Sequence, residues 1–222
     1  MTAWCEVAGL PALAGVVHLP RVGAWVADLH LDADAPPGGR VDVVLGAGAL
    51  RLTGTVLPGA TGATGGSARV RVVGGGGGLR RPLPAAGYRN VPLSVPLRAA
   101  LSEAGETLAP EADAAALATF LPRWARLAGT AGSTVAALAA QVRLPWRVLP
   151  SGALWLGPER WAQAAGEYEV LEELPQQQAV LVASDAPRVL PGQAFLGRPV
   201  GHVAHHFSAD SLRVLVTFEA TS

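Results

Sequence analysis

The chain has 222 residues, which is enough for one large domain or two small ones with their own cores. Its 17 basic residues are all arginine and are balanced by 17 acidic residues, so the net charge at pH 7 is zero. A protein that grips a polyanion normally carries a basic excess, and this balance therefore argues against high-affinity nucleic-acid binding.

Cys5 is the only cysteine, so the chain cannot form an internal disulfide, and we expect an inert free thiol. The N-terminal stretch MTAWCEVAGLPALAGVV has no basic region and is interrupted by Pro11, which does not fit a signal peptide. No apolar run reaches the roughly 18 residues of a membrane span. We therefore expect a soluble chain that is made in the cytoplasm.

The N-terminal part, up to about residue 90, alternates apolar and polar residues with a period of two, which predicts half-buried strands. The positions predicted to face a core are Trp25, Ala27, Leu29, Leu31, Val41, Val43, Leu45, Leu50, Leu52, Val56, Val70 and Val72. Turns rich in Gly and Pro, such as APPGG (35–39), separate the strands. Short strands with this spacing are typical of an antiparallel barrel or sandwich.

A run of five glycines, residues 74–78, invites comparison with phosphate-binding loops. Such loops need a following Lys-Ser/Thr, or a spaced GxGxxG that opens a helix. Neither is present, and Pro82 and Pro84 would break that helix. We predict a flexible connector.

From residue 93 onward the patterns become helical. PLRAALSEAGETL predicts a short helix that ends at Gly105, and GSTVAALAAQV (132–142) predicts a second helix capped by Ser133. The apolar stripe of the second helix consists of Val135, Leu138, Ala139 and Val142.

Two further elements follow in the middle of the chain. PWRVLPSGALWLG predicts a hairpin that turns at Ser151 and Gly152. PERWAQ (158–163) predicts a single helical turn.

The last third returns to strands. YEVLEEL and QQAVLVA predict two strands, and FLGRPVGHVAHHF with SLRVLVTFEA predicts a closing hairpin around residues 208–210. The residues of the final strand predicted to face inward are Leu212, Val214, Val216 and Phe218.

The predicted fold class is therefore mainly β (α+β), with antiparallel β-barrel domains and a small helix-plus-hairpin module in the middle. Residues 1–92 are expected to form an N-terminal β-barrel domain, and residues 93–163 the helical and hairpin module. Residues 164–222 are expected to supply C-terminal strands that form or complete a second barrel.

Three of the five histidines lie in GHVAHHF. In a strand, His202 and His206 share one face with Ala204, whereas His205 lies on the other. Strand geometry places His202 and His206 roughly 13 Å apart, which is too far for both to bind one metal ion. We predict structural or surface histidines, with a metal site formed by His202 and a carboxylate of another segment left as the alternative.

The acidic residues form no recognisable catalytic arrangement, and neither GxSxG nor HExxH occurs. Glu167 and Glu169 would share one face of a strand, but a hydrolase needs two carboxylates about 5–10 Å apart in a cleft. The neighbouring pair Glu172 and Glu173 is interpreted in the same way, as solvated charge. Asp32 and Asp34 lack the spacing of a calcium loop.

Four tryptophans lie in the middle part of the chain: Trp124, Trp146, Trp155 and Trp161. Aromatic platforms bind sugars, but large side chains in a small domain more often form its core, and we favour core. Exposure of Trp155 and Trp161 on one flat face would favour carbohydrate binding, and burial of both would exclude it.

Several stretches, taken in order, resemble the tail or baseplate hub proteins of tailed bacteriophages. The family's opening hairpin, with its Leu-Pro-Arg-x-Gly-x-Trp pattern, resembles GVVHLPRVGAWVADLHLD, and the strands that follow resemble LTGTVLPG and RVVGGGGGL. Its helix-then-hairpin module is similar to WARLAGTAGSTVAALAAQVRLPWRVLPSGALWLGPERW, and its closing strands to VLPGQAFLGRPVGHVAHHFSADSLRVLVTFEA. The likeness spans approximately residues 15–220 and depends on the order of these stretches.

The resemblance implies a homotrimer whose β-barrels imitate tail-tube subunits, so that three copies form a ring of quasi-sixfold symmetry. Such a ring lies at the distal end of the tail tube in the virion, joins the sixfold tube to a threefold tip, and surrounds the DNA channel. DNA would pass through it without specific binding during genome ejection. The implied partners are the chain itself, a tail-tube or distal tail protein, the tape-measure protein, and other baseplate or tip proteins.

We therefore predict a structural virion protein with no catalytic, cofactor-binding or metal-binding residues. The residues expected to matter are the anchors Trp25, Trp146, Trp155 and Phe195 and the strand arginines Arg21 and Arg213. The alternative is a carbohydrate-binding β-module of a tail tip that contacts the host surface. A third hypothesis is a hydrolase that acts through Glu167 or Glu169.

Overall fold

The computed structural model describes residues 4–46, 48–59 and 61–220, which form eighteen strands and three α-helices. The strands are β1 (Cys5–Val7), β2 (Leu10–Pro20), β3 (Val26–Asp32), β4 (Arg40–Leu45), β5 (Leu50–Val56), β6 (Gly62–Thr64), β7 (Ser67–Gly74), β8 (Pro82–Leu83), β9 (Ala86–Pro92), β10 (Phe120–Arg126), β11 (Gly129–Thr130), β12 (Trp146–Val148), β13 (Leu154–Leu156), β14 (Glu169–Leu174), β15 (Ala179–Ala183), β16 (Ala194–Phe195), β17 (Arg198–Phe207) and β18 (Leu212–Phe218). The helices are α1 (Ser94–Ala104), α2 (Ala114–Leu117) and α3 (Ala131–Val142). Single 3₁₀ turns lie at Gly78–Arg80 and Pro175–Gln177.

Six antiparallel strands close into a barrel in the order β1-β4-β5-β7-β3-β2, and β2 returns to pair with β1. The period-two pattern explains why they do so. Every position predicted to face the core of this part is buried, from Trp25 on the approach to β3 to Val72 on β7. The predicted fold class, mainly β with an antiparallel barrel and few helices, is confirmed.

The C-terminal strands extend the same sheet outward from β2 in the order β17, β18, β15, β14. One edge of β2 pairs with β3. The other edge pairs first with β1, at Leu10 and Pro11, and then with β17, from Gly15 to Pro20. The predicted closing hairpin and the inward face of its last strand are confirmed. The barrel and this extension share one continuous apolar core.

The middle of the chain forms a module of its own, in which α1 and α3 pack together over a separate apolar cluster. Strands β8 and β9, which lie before the predicted boundary at residue 93, pair with β11 and β10 of this module. The helix that ends at Gly105 and the hairpin of β12 and β13 are confirmed, and Gly152 takes a left-handed φ of 83° in the hairpin turn.

Two details of the middle module differ from the predictions. The cap of α3 is Thr130 rather than Ser133, because the Thr130 hydroxyl accepts the backbone N–H of Ser133. The predicted helical turn at 158–163 is wrong. There Trp161 has a positive φ of 49°, and Gln163 makes a bridge to Ala194 instead.

The glycine run is a packed loop and not the flexible connector that we predicted. The backbone N–H groups of Gly76 and Gly78 each donate to one carboxylate oxygen of Glu106, at 2.8 Å. A side chain at Gly78 would collide with the carbonyl oxygen of Ala104, which explains why glycine is needed there. Consecutive amides that converge on an anion form the same kind of cradle that binds phosphate elsewhere. Here the anion is the chain's own buried Glu106, and it ties the end of β7 to the end of α1.

Replacing this carboxylate tests the loop. We expect Glu106→Ala to lower the free energy of unfolding by roughly 3 kcal/mol, because two backbone amides lose a charged acceptor in a buried place. Glu111→Ala removes an exposed carboxylate five residues further along the chain, and it should change the free energy of unfolding by less than about 0.5 kcal/mol. Urea unfolding of the two variants makes the comparison, and equal losses would contradict the assignment.

Candidate assembly surface

The sheet ends in an open edge at β14, which pairs with β15 on one side and with no other strand of the described residues. Both faces of β14 are in contact with solvent: Glu169, Glu172 and Glu173 are exposed, and so are the apolar Val170 and Leu171. Unpaired strand edges are places where another chain can add a strand. We therefore take β14 as the first part of a candidate assembly surface.

A second open element is the two-stranded sheet of β9 and β10, which we call the arginine ribbon after Arg89 and Arg123. These two arginines are exposed and lie directly opposite each other in the register. Phe120, at the start of β10, is 59% exposed, and Leu127, just after its end, is 81% exposed. Exposed large apolar side chains next to charges are typical of protein–protein contacts.

The histidines lie on both faces of the ladder between β2 and β17. As predicted, His202 and His206 share the outer face of β17, and His205 lies on the inner face. His18 of β2 lies between them, opposite Ala204, with ring centroids 5.4 Å from His202 and 6.3 Å from His206. Nothing near His18 in the sequence indicates this cluster, because its neighbours come from a strand more than 180 residues away.

Burial and repulsion between neighbouring histidines lower the pKa of His202, His205 and His206. Burial, and then the charges of His18 and His206, lower the pKa of His202. Burial, and then His18, lower the pKa of His206, which also faces Arg213 of β18. His205 is fully buried against Val17 and Val214, neither ring nitrogen has a hydrogen-bond partner among the described residues, and burial lowers its pKa to about 3. Three titratable groups therefore resist protonation at one strand junction.

The described residues contain no group of three or more His, Cys, Asp or Glu side chains placed to hold a metal ion. Each helix in the same ranges also falls short of the length and apolar character that crossing a membrane requires. Cys5 is buried, and burial followed by the neighbouring Glu6 raises the pKa of its thiol to about 12, which agrees with an inert thiol.

A chain of charged side chains joins the three parts of the molecule. Arg147 of β12 binds Glu159 at 2.6 Å. Arg21, just after β2, lies 4.0 Å from the same carboxylate and donates to Glu219, just after β18, at 2.7 Å. Glu159 is 6% exposed, so its charge depends on these partners. Arg21 was expected from the sequence to matter, but Glu159 was not, because Glu159 lies in a segment without regular structure and no local pattern indicates its partners.

A cleft of roughly 510 Å³ lies beside this network, lined among others by Glu111, Asp113, Trp155 and Arg160. It does not offer the open aromatic platform that sugar binding needs. The Arg147 guanidinium lies 4.2 Å above the Trp155 ring centroid, and Gly157 approaches the same indole so closely that a Cβ there would come within 2.9 Å. Trp161 is half-buried. The two tryptophans therefore do not present a flat exposed face.

The predicted anchors lie inside the chain. Trp25 is buried against Gly54 and Gly74, and Phe195 is buried against Tyr168, so both contribute to the core of the chain itself. Trp146 and Trp155 are half-buried at the hairpin.

The acidic residues singled out as catalytic candidates lie on open surface. Glu167 precedes β14 instead of sharing a strand face with Glu169, and both carboxylates are exposed. Asp32 and Asp34 are exposed at and just after the end of β3.

The buried imidazole of His205 predicts a loss of stability in mild acid. A group whose pKa is lower in the folded state binds its proton more readily when unfolded, so stability is complete above about pH 6.5 and falls as the pH drops. For His205 the slope of unfolding free energy against pH should approach about 1.4 kcal/mol per pH unit as the pH falls below about 6. His205→Leu should flatten this slope and keep wild-type stability at pH 7, because it removes an unpaired buried polar group. Denaturant unfolding across this range is the measurement, and a variant profile as steep as wild type would contradict it.

The buried ion pair gives a second expectation. Glu159→Ala leaves Arg147 without its partner and should cost roughly 3 kcal/mol of unfolding free energy. Arg51→Ala breaks the exposed pair with Asp42 and should cost less than about 1 kcal/mol. Thermal unfolding of both variants is the measurement. Similar losses of unfolding free energy in the two variants would mean that Glu159 contributes no more than an ordinary surface charge.

Comparison with known proteins is informative for the fold. No protein-family model matches the sequence, and no curated protein matches it by sequence. Among solved structures, the 43 kDa tail protein of prophage MuSo2 from Shewanella oneidensis is similar with a TM-score of 0.72 and 9% identity, covering 97% of this chain and 96% of that one. The tail protein from Neisseria meningitidis MC58 is similar with a TM-score of 0.63 and 13% identity, covering 97% and 96%.

A third similar structure is the E. coli c3393 protein, a component of the type VI secretion system with structural similarity to the T4 bacteriophage tail proteins gp27 and gp5. It matches with a TM-score of 0.67 and 10% identity, covering 97% of this chain and 77% of that one. At such identities the likeness concerns the fold. The resemblance inferred from the sequence is confirmed at that level, and the chain has the fold of phage tail proteins.

Proposed function

We propose that the chain is a structural protein of a phage tail, where it serves as the hub at the distal end of the tail tube. The observation that carries the proposal is the match to the Shewanella tail protein over 97% of this chain and 96% of that chain. Agreement over nearly the whole of both chains means that barrel, middle module and C-terminal sheet recur together in a tail protein.

The proposed hub is a ring of three copies. The proposed division into 1–92, 93–163 and 164–222 gives each copy one barrel and one set of C-terminal strands, and three copies would then supply six β-units. The shared strand β2 supports this arrangement, because it holds the two β-units of a copy at a fixed angle. The ring would join a sixfold tube to a threefold tip, with the tape-measure protein and other baseplate or tip proteins as neighbours.

The charges of the barrel surface support a channel that lets DNA slide. Arg71 donates twice to Asp28, at 2.6 and 2.8 Å, and Arg51 donates to Asp42 at 2.8 Å. Arginines that are already paired with carboxylates on the same sheet attract phosphate weakly. A neutral surface of this kind favours passage over binding.

A role without catalysis is part of the same proposal. Support comes from the exposed positions of Glu167 and Glu169, which lack the enclosed pair of carboxylates that glycoside hydrolysis uses. The buried acids Glu106 and Glu159 are engaged with the chain's own amides and arginines.

Locating the chain in particles tests the function. Tail particles purified from the strain that encodes the gene should contain the chain, and cryo-EM should place three copies at the distal end of the tube. Deleting the gene should give particles without assembled tails. Absence of the chain from particles, or turnover of a substrate by the purified protein, would contradict the proposal.

A further inference from the structure

Two separate strand edges carry exposed charges of opposite sign. Edge strand β14 carries three exposed carboxylates, those of Glu169, Glu172 and Glu173, and none of them takes part in an ion pair among the described residues. The arginine ribbon carries Arg89 and Arg123, which likewise have no carboxylate partner in the described part of the chain. Elsewhere on the sheets Arg51 and Arg71 are paired, whereas the exposed Arg40, Arg69 and Arg213 take part in no ion pair among the described residues. The ribbon is distinguished by placing two unpaired arginines directly opposite each other.

The arginine ribbon is electrostatically unfavourable by itself. Arg89 and Arg123 lie directly opposite each other, and like charges in that position destabilise a sheet. On β14, Glu169 and Glu172 lie opposite Ala183 and Leu181 on one face, and Glu173 lies opposite Val180 on the other face. Carboxylates on a strand added beside the ribbon would offset the repulsion between the two arginines.

The backbone of both elements can accept another strand. The ribbon has only two strands, so each of them has an outer edge that pairs with no other strand of the described residues. β14 has an open edge among the described residues. Adding β14 to the ribbon would pair strand edges that are otherwise exposed, and Val170, Leu171 and Phe120 would bring apolar area to the contact.

The ribbon is held in place before any partner binds. Buried Arg126, at its base, donates to the Pro84 carbonyl at 2.9 Å and to both oxygens of Glu103 at 3.0 and 3.2 Å. Tyr88 packs against Trp124 across the two strands, with ring centroids 5.7 Å apart. A surface fixed in this way loses little conformational entropy on binding.

We propose that the acidic edge β14 of one copy binds the arginine ribbon of the next copy, and this proposal rests on the ring proposed above. The two surfaces differ, so the contact is head-to-tail, and a head-to-tail contact closes into a ring when its rotation permits. The partner is a second copy of this chain, chosen by complementary charge.

Charge reversal on the full chain tests the contact. The edge variant is Glu172→Arg with Glu173→Arg, and the ribbon variant is Arg89→Glu with Arg123→Glu. All four positions are exposed, and unfolding curves establish that each variant is folded. The control, Glu111→Arg with Asp210→Arg, makes the same change in net charge as the edge variant at two other exposed positions.

Sedimentation at low salt measures self-association. We expect each single-surface variant to raise the dissociation constant at least about tenfold, and the control to leave it within about threefold of wild type. In the variant that carries all four changes, the edge is basic and the ribbon is acidic, so the two surfaces are complementary again. This variant should regain self-association. Added salt should weaken the wild-type contact and the four-change contact alike.

Three results would overturn the contact. They are a wild-type chain that stays monomeric at all concentrations, association that neither single-surface variant weakens, or weakening that the four-change variant does not reverse. None of these results contradicts the proposed tail function as long as tail particles contain the chain. Absence of the chain from particles would contradict the tail function, whatever the sedimentation experiment shows.

Discussion

The barrel and the C-terminal sheet both depend on strand β2, because the backbone of its eleven residues needs hydrogen-bond partners along both edges. One edge is satisfied by β3. The other is divided between β1, which closes the barrel, and β17, which starts the C-terminal sheet. Everything beyond β17 is positioned by this one strand, and the histidines lie on the same ladder. A change that weakens it would loosen the C-terminal sheet from the barrel.

Polar interactions set the angle of the middle module. Glu106 receives two amides of the glycine loop, and Arg147 and Glu159 bind the hairpin to the ends of β2 and β18 through Arg21 and Glu219. Apolar burial is non-directional and could not fix this orientation alone. Buried charges with few permitted partners can, since any other arrangement leaves them unpaired.

The surface divides into two kinds of charge. On the barrel, Arg51 pairs with Asp42 and Arg71 pairs with Asp28 across neighbouring strands. On β14 the exposed glutamates have no ionic partner among the described residues, and on the arginine ribbon two unpaired arginines lie opposite each other. The zero net charge of the chain is therefore compatible with two edges of opposite charge.

The sequence by itself determined most strands of the barrel and of the C-terminal sheet, their inward faces, the hairpin of β12 and β13, and two of the three helices, because these depend on local periodicity and on turns marked by glycine and proline. It did not indicate β8 to β11 of the middle module. Leu29, Val43 and Val72 show this: the alternation around each was enough to place it in a core. The resemblance to tail proteins was also visible from the order of short stretches. The sequence misplaced the cap at Ser133 and the turn at 158–163, where a competing neighbour decides the local geometry.

Only the tertiary structure decided which segments meet. His18 joins His202 and His206, and Glu106 enters the glycine loop, although nothing close to each in the sequence indicates the partner. The acidic edge β14 and the arginine ribbon can likewise be recognised only when the strand pairing shows which strand edges remain unpaired. The physical reason is that local patterns record how each segment is buried, whereas long-range pairing depends on the closure of the whole sheet.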